Sequence, residues 1–94
     1  MDFDYLEFRL HAIKRMFERG ISASDARQVV KQGTVIEEYP TDTPYPSLLI
    51  LGFVRGRALH VMVAVDQKAR RAIIVTVYEP DPLKWEPGFR RRKG

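Results

Sequence analysis

The hydrophobic period of this chain changes once, at Gly33–Thr34, and the change restricts the folds open to it. Before that point apolar residues recur at helical spacing. After it, β-branched and aromatic residues alternate with polar ones, the period of half-buried strands. The first part predicts a helix from about Tyr5 to Arg19, with Leu6, Leu10, Ile13 and Phe17 as its apolar stripe and Gly20 as its stop. Ser22 then opens a second helix. It is placed to cap, Asp25 to reach back as in a capping box, and Ile21 to staple onto Ala26. This helix carries Ala26, Val29 and Val30 on one side and stops at Gly33.

Four strands are predicted downstream, over Thr34–Tyr39, Ser47–Val54, Arg57–Val65 and Ala72–Glu79. Pro40, Pro44 and Pro46 make the segment after the first of them a loop. Arg55-Gly56-Arg57 reads as a tight hairpin and Asp66 to Arg71 as a looser one. Two helices followed by an antiparallel meander of about four strands make an α+β fold, with both helices on one face of the sheet. At 94 residues the chain is one domain. Its basic end, residues 88–94, is expected to be flexible.

Alternation also assigns faces. Leu59, Val61, Val63 and Val65 are expected to face the helices, and His60, Met62 and Ala64 to face away. In the last strand Ile73, Val75 and Val77 match the buried set, while Ile74, Thr76 and Tyr78 match the other. Pairing Asp66 with Ala72 sets His60 opposite Tyr78 and Met62 opposite Thr76. A three-residue hairpin at Arg55 to Arg57 sets Gly52 beside His60. One histidine, one tyrosine and a bare glycine would then gather on the face turned away from the helices.

The net charge is +4 and the pI about 9.7. Cations concentrate in the first helix (Arg9, Lys14, Arg15, Arg19), in the turn Lys68 to Arg71, and in Arg90 to Lys93. A polyanionic partner is the natural inference. His11, Arg15 and Arg19 follow one another at intervals of four, which drift only about 40° around a helix axis. They form a ridge in which two guanidiniums can hold a phosphate and an imidazole can move a proton near neutral pH. The alternative is a solvated basic face laced by pairs such as Glu7–His11 and Arg15–Glu18. His60 and Tyr78 are a second candidate pair, as base and acid or as a cross-strand packing contact. Trp85 ends a proline-stiffened segment and is expected to cover an edge of the core.

Several classes are excluded. With no cysteine there is no disulfide framework, thiolate zinc site or cysteine nucleophile. No P-loop, dinucleotide fingerprint, HExxH or Gly-x-Ser-x-Gly occurs, so no cofactor is expected. The two histidines have no metal-ligand spacing. Apolar runs are strand-sized and the N-terminus lacks the pattern of a signal peptide, so a cytoplasmic protein without membrane contact is expected.

The run His11-Ala12-Ile13-Lys14-Arg15-Met16-Phe17-Glu18-Arg19-Gly20-Ile21, then Ser22-x-x-Asp25 and Lys31-Gln32-Gly33, resembles the DUF4258 family of small bacterial proteins. Tyr39-Pro40-x-Asp42, Leu51-Gly52, Gly56-Arg57-x-Leu59-His60-Val61 and Thr76-Val77-Tyr78-x-Pro80 continue the likeness, over roughly Phe8 to Trp85. The family is of uncharacterised function. The resemblance implies kinship with RelE-like toxins, including the MqsR and BrnT types, which pack helices on a small antiparallel sheet. It also implies an antitoxin partner of the zinc-finger, helix-turn-helix kind. The expected activity is a metal-independent endoribonuclease toxin of a type II toxin–antitoxin pair. His60, His11 and Tyr78 are the candidates for proton transfer, and Arg15, Arg19, Arg57 and Lys14 for phosphate and RNA binding. The alternative is a non-catalytic basic module that binds nucleic acid or a protein.

Overall fold

A computed structural model describes all residues, 1–94. The chain runs β1 (Tyr5–Phe8), α1 (Leu10–Arg19), α2 (Ala23–Gln32), β2 (Thr34–Tyr39), β3 (Ser47–Val54), β4 (Arg57–Asp66) and β5 (Arg71–Tyr78). The fold is α+β, as the change of period implies. The sheet has five strands rather than about four, in the order β1-β5-β4-β3-β2, and it is mixed rather than antiparallel. The additional strand is β1, which pairs parallel to β5. Its residues were expected to be the first turn of the helix. Over Tyr5 to Phe8 the alternation of outward Tyr5 and Glu7 with half-buried Leu6 and Phe8 prevails, because four residues fit either period. Parallel pairing also satisfies the backbone of an otherwise open β5 edge.

The helix α1 therefore starts late, and it is rotated from the expected orientation. Ala12 and Met16 are its buried residues. Leu10 and Phe17, expected in the core, are 81% and 89% exposed, and Ile13 is also exposed. Without Leu6 the stripe loses its anchor, and the small Ala12 lets the helix lie close to β5. The helix ends in a Schellman turn: Gly20 lies in the left-handed region at φ 64. Its N–H donates to the Phe17 carbonyl, and the Ile21 N–H donates to the Met16 carbonyl. Ser22 caps α2 by accepting from the Asp25 N–H at 3.0 Å. The Asp25 carboxylate instead accepts from Arg55 at 2.6 Å, and this guanidinium holds its pKa below the usual value.

Both helices pack on one face of the sheet. Ala12, Met16, Ile21, Ala26, Val29 and Val30 form one core with Ile50, Val54, Leu59, Val61, Val63, Ala72, Ile74 and Val77. Two register details differ from expectation. Val54 pairs with Arg57, so the hairpin has two loop residues, and Leu51 rather than Gly52 lies opposite His60. Gly52 faces α2, where a Cβ would stand 2.8 Å from a Val29 methyl. Asp66 pairs with Arg71, not Ala72. A bulge at Val75 absorbs the difference, so Met62 still meets Thr76 and His60 still meets Tyr78. The same bulge puts Ile74, rather than Ile73, on the helix side.

The C-terminal stretch was expected to be flexible over 88–94. It turns back over the other face of the sheet: Trp85 and Arg92 form a β-bridge, and the Phe89 carbonyl accepts from His60. No helix is long and apolar enough to cross a membrane.

Candidate functional site

The Val75 bulge and the β4–β5 pairing put Tyr78 beside His60 at the end of the sheet where β5 leaves it. His60 is fully buried. Trp85 stands edge-on to its ring at a centroid distance of 4.4 Å, and the Tyr78 ring packs at 5.3 Å. The imidazole Nε2 is 2.8 Å from the Phe89 carbonyl oxygen. A carbonyl only accepts, so Nε2 carries the hydrogen and Nδ1 is left as a bare lone pair. Nδ1 lies 3.2 Å from the Tyr78 hydroxyl, which therefore donates to it. Burial lowers the pKa of His60, against the opposing effects of the Phe89 carbonyl and Glu37. Burial also raises the pKa of Tyr78. Both groups are thereby kept neutral, with one proton shared along a defined line.

Beside Tyr78 opens a cleft of about 500 Å³, between α1, the end of β5 and the C-terminal stretch. Arg19, Lys84 and Arg92 bring three cations to it, and Trp85 contributes an aromatic wall. Glu79 and Asp81 are the acidic residues on its lining. Arg19 reaches it because the drift of about 40° per four residues carries it off the ridge of His11 and Arg15 onto the inward side of α1. There its Nη1 donates to the Val77 carbonyl at 2.9 Å. That bond is open to it because β1 pairs only with Arg71 to Ile74 and leaves the rest of the β5 edge uncovered.

The sequence-predicted residues separate into three groups. Arg19 and Tyr78 share the cleft, and His60 lies behind Tyr78. His11, Lys14 and Arg15 are exposed on α1 and do not line it. Arg15 forms an exposed pair with Glu18 at 3.7 Å, while Glu7 pairs with Arg71 and not with His11. Arg57 closes the end of α1. Its guanidinium donates to the Arg19 carbonyl at 2.7 Å, to the Gly20 carbonyl at 3.0 Å and to Glu79 at 2.6 Å.

Lys84 and Glu37 were not foreseen in these roles, and Arg92 only as one cation of a basic stretch able to add non-specific phosphate affinity. Arg92 donates from Nε and Nη2 to the two carboxylate oxygens of Glu37 and lies over the Trp85 ring at 4.6 Å. Arg92 lowers the Glu37 pKa, and Tyr39, which donates to the same carboxylate, acts in the same direction. Lys84 and Arg92 are traced in the sequence only by a basic, tryptophan-containing stretch after the last strand, and Glu37, inside β2, by nothing. No cluster of three or more His, Cys, Asp or Glu side chains gathers with the geometry of a metal site.

No curated protein and no solved structure matches the chain. A family model described as a domain of unknown function, DUF4258, matches residues 8–79, which span both helices, the meander, His60 and Tyr78. This protein belongs to the DUF4258 family.

Proposed function

We propose that the protein is a metal-independent endoribonuclease of the RelE-like kind, the toxin of a bacterial type II pair, acting in the cytoplasm and held by an antitoxin. The observation that carries this reading is the meeting of Arg19 and Tyr78 in one cleft with Lys84 and Arg92. RNA self-cleavage needs a base for the 2′-hydroxyl, an acid for the leaving 5′-oxygen and positive charge on the phosphorane. Tyr78 donates to His60, so its lone pairs face outward. As the 2′-hydroxyl proton passes to the Tyr78 oxygen, the Tyr78 proton passes to His60 Nδ1. The 2′-oxygen then bonds to phosphorus and the bond to the 5′-oxygen breaks. Lys84 is the cation placed to protonate the leaving oxygen, while Arg19 and Arg92 neutralise the phosphate. The products are a 2′,3′-cyclic phosphate and a 5′-hydroxyl. The imidazolium formed in this step is supported by the Phe89 carbonyl and by the nearby Glu37 carboxylate.

Induced expression tests this reading. Growth should arrest, Tyr78→Phe should relieve the arrest, and a neighbouring gene encoding two CxxC pairs and a helix-turn-helix should suppress it. Normal growth at high expression, with cellular RNA intact, would contradict it. One observation favours a second reading. His60 has no exposed surface and both its nitrogens are engaged, which suits a non-catalytic module that binds RNA through the same cations. Salt-dependent binding without cleavage would select that reading.

A further inference from the structure

We infer that Glu37 is a positioning residue: through Arg92 it clasps the C-terminal strap, residues 80–94, over His60, and the strap holds the imidazole in line with Tyr78. The main-chain hydrogen bonds of the strap support this. Lys84 and Trp85 N–H groups donate to Asp81, Glu86 to Arg91, Phe89 to Glu86 and Lys93 to Lys84. All of these stay within the strap, so it is a self-contained turn laid on the sheet and not an added strand. Two polar ties join it to the domain: Arg92, which pairs with Glu37 and lies beside Tyr39, and the Phe89 carbonyl that accepts from His60. The matched family residues end at Glu79, immediately before the strap.

The two ties are coupled. Trp85 pairs with Arg92 across the strap and packs against the His60 ring. Release of Arg92 therefore loosens the wall that covers the imidazole. Without the Phe89 carbonyl nothing on that side selects which nitrogen carries the hydrogen, and the ring is free to turn its Nδ1 away from Tyr78. Glu37 does not line the cleft, so beyond its Coulombic support of the imidazolium it acts on proton transfer through the strap. The consequence for catalysis rests on the ribonuclease reading above; the clasp does not, and it is read without RNA.

Two variants of the full chain, Glu37→Gln and Arg92→Ala, test the clasp, with Arg92→Lys as the conservative control. In the unaltered protein the buried Nε2–H of His60 should give a slowly exchanging proton resonance, and Trp85, the single tryptophan, should be shielded from acrylamide. Glu37→Gln and Arg92→Ala should lose that resonance and expose Trp85, while the amides of β3, β4 and β5 stay protected. Arg92→Lys should retain the resonance. Unchanged resonance and quenching in both variants would overturn the clasp, and so would loss of sheet protection together with the strap. Where the unaltered protein cleaves RNA, Glu37→Gln should lower kcat and leave KM nearly unchanged; a change in KM alone would overturn the positioning role. A protein that leaves RNA intact removes the ribonuclease reading, and the resonance and quenching results still decide the clasp.

Discussion

His60 has an ordinary pKa of 6.5 that burial lowers in the folded chain. The unfolded chain takes up the proton first as pH falls, so the folded state is penalised between 6.5 and the lower folded value. Stability should be full above that window and decline as pH falls through it. Thermal melts across the window check this, and His60→Gln should flatten the decline. Glu37 acts further down the scale. Arg92 lowers its pKa from 4.5, so its contribution is present above that value and lost only as pH falls through the lower folded one. The pairing of His60 with Tyr78 was legible in the alternation of β4 and β5. The fate of Gly52 was not: a glycine has no side chain to report a face, and one residue of hairpin length decides it. Arg57 shows a different limit. A lone arginine after a glycine reads as a free cation, whereas here its donors close α1 through two carbonyls.

The helices differ in how well their sequences announce them. Ser22 and Gly33 bracket α2 by capping and by close approach, and Val29 packs where Gly52 leaves room. Gly52→Ala should force α2 away from β3 and destabilise by about 1–3 kcal/mol in a denaturant melt. The orientation of α1 was misread because its apolar residues cover more than one face and β1 removed the anchor at Leu6. Met16 is buried and Phe17 beside it is not. Met16→Ala should therefore cost about 2–5 kcal/mol, whereas Phe17→Ser should stay within about 0.5 kcal/mol. Equal losses at the two positions would restore the expected stripe. The strap was the least legible element. Its composition is that of a solvated tail, and its position on the sheet comes from partners distant in sequence, Glu37 and His60.

At the scale of the molecule, polar side chains form a track. Arg19 stands in the cleft, and the Arg15 guanidinium and then the His11 imidazole continue outward along α1 at successive turns. A bound single strand that follows this track has several phosphates within reach. Arg15→Ala should then weaken RNA binding and reduce the salt slope by about 0.7, the value for one phosphate contact on a single strand. An unchanged slope would assign the α1 face to another partner. The central claim is that the Arg19–Tyr78 cleft cleaves RNA through the Tyr78–His60 relay. Its most direct measurement is end-group analysis of RNA incubated with the purified protein and excess EDTA, for the unaltered chain and for Tyr78→Phe. The account predicts 2′,3′-cyclic phosphate and 5′-hydroxyl ends, with a loss of about 100-fold in rate for Tyr78→Phe and an unchanged fold. Intact RNA, or equal cleavage by both proteins, would contradict it.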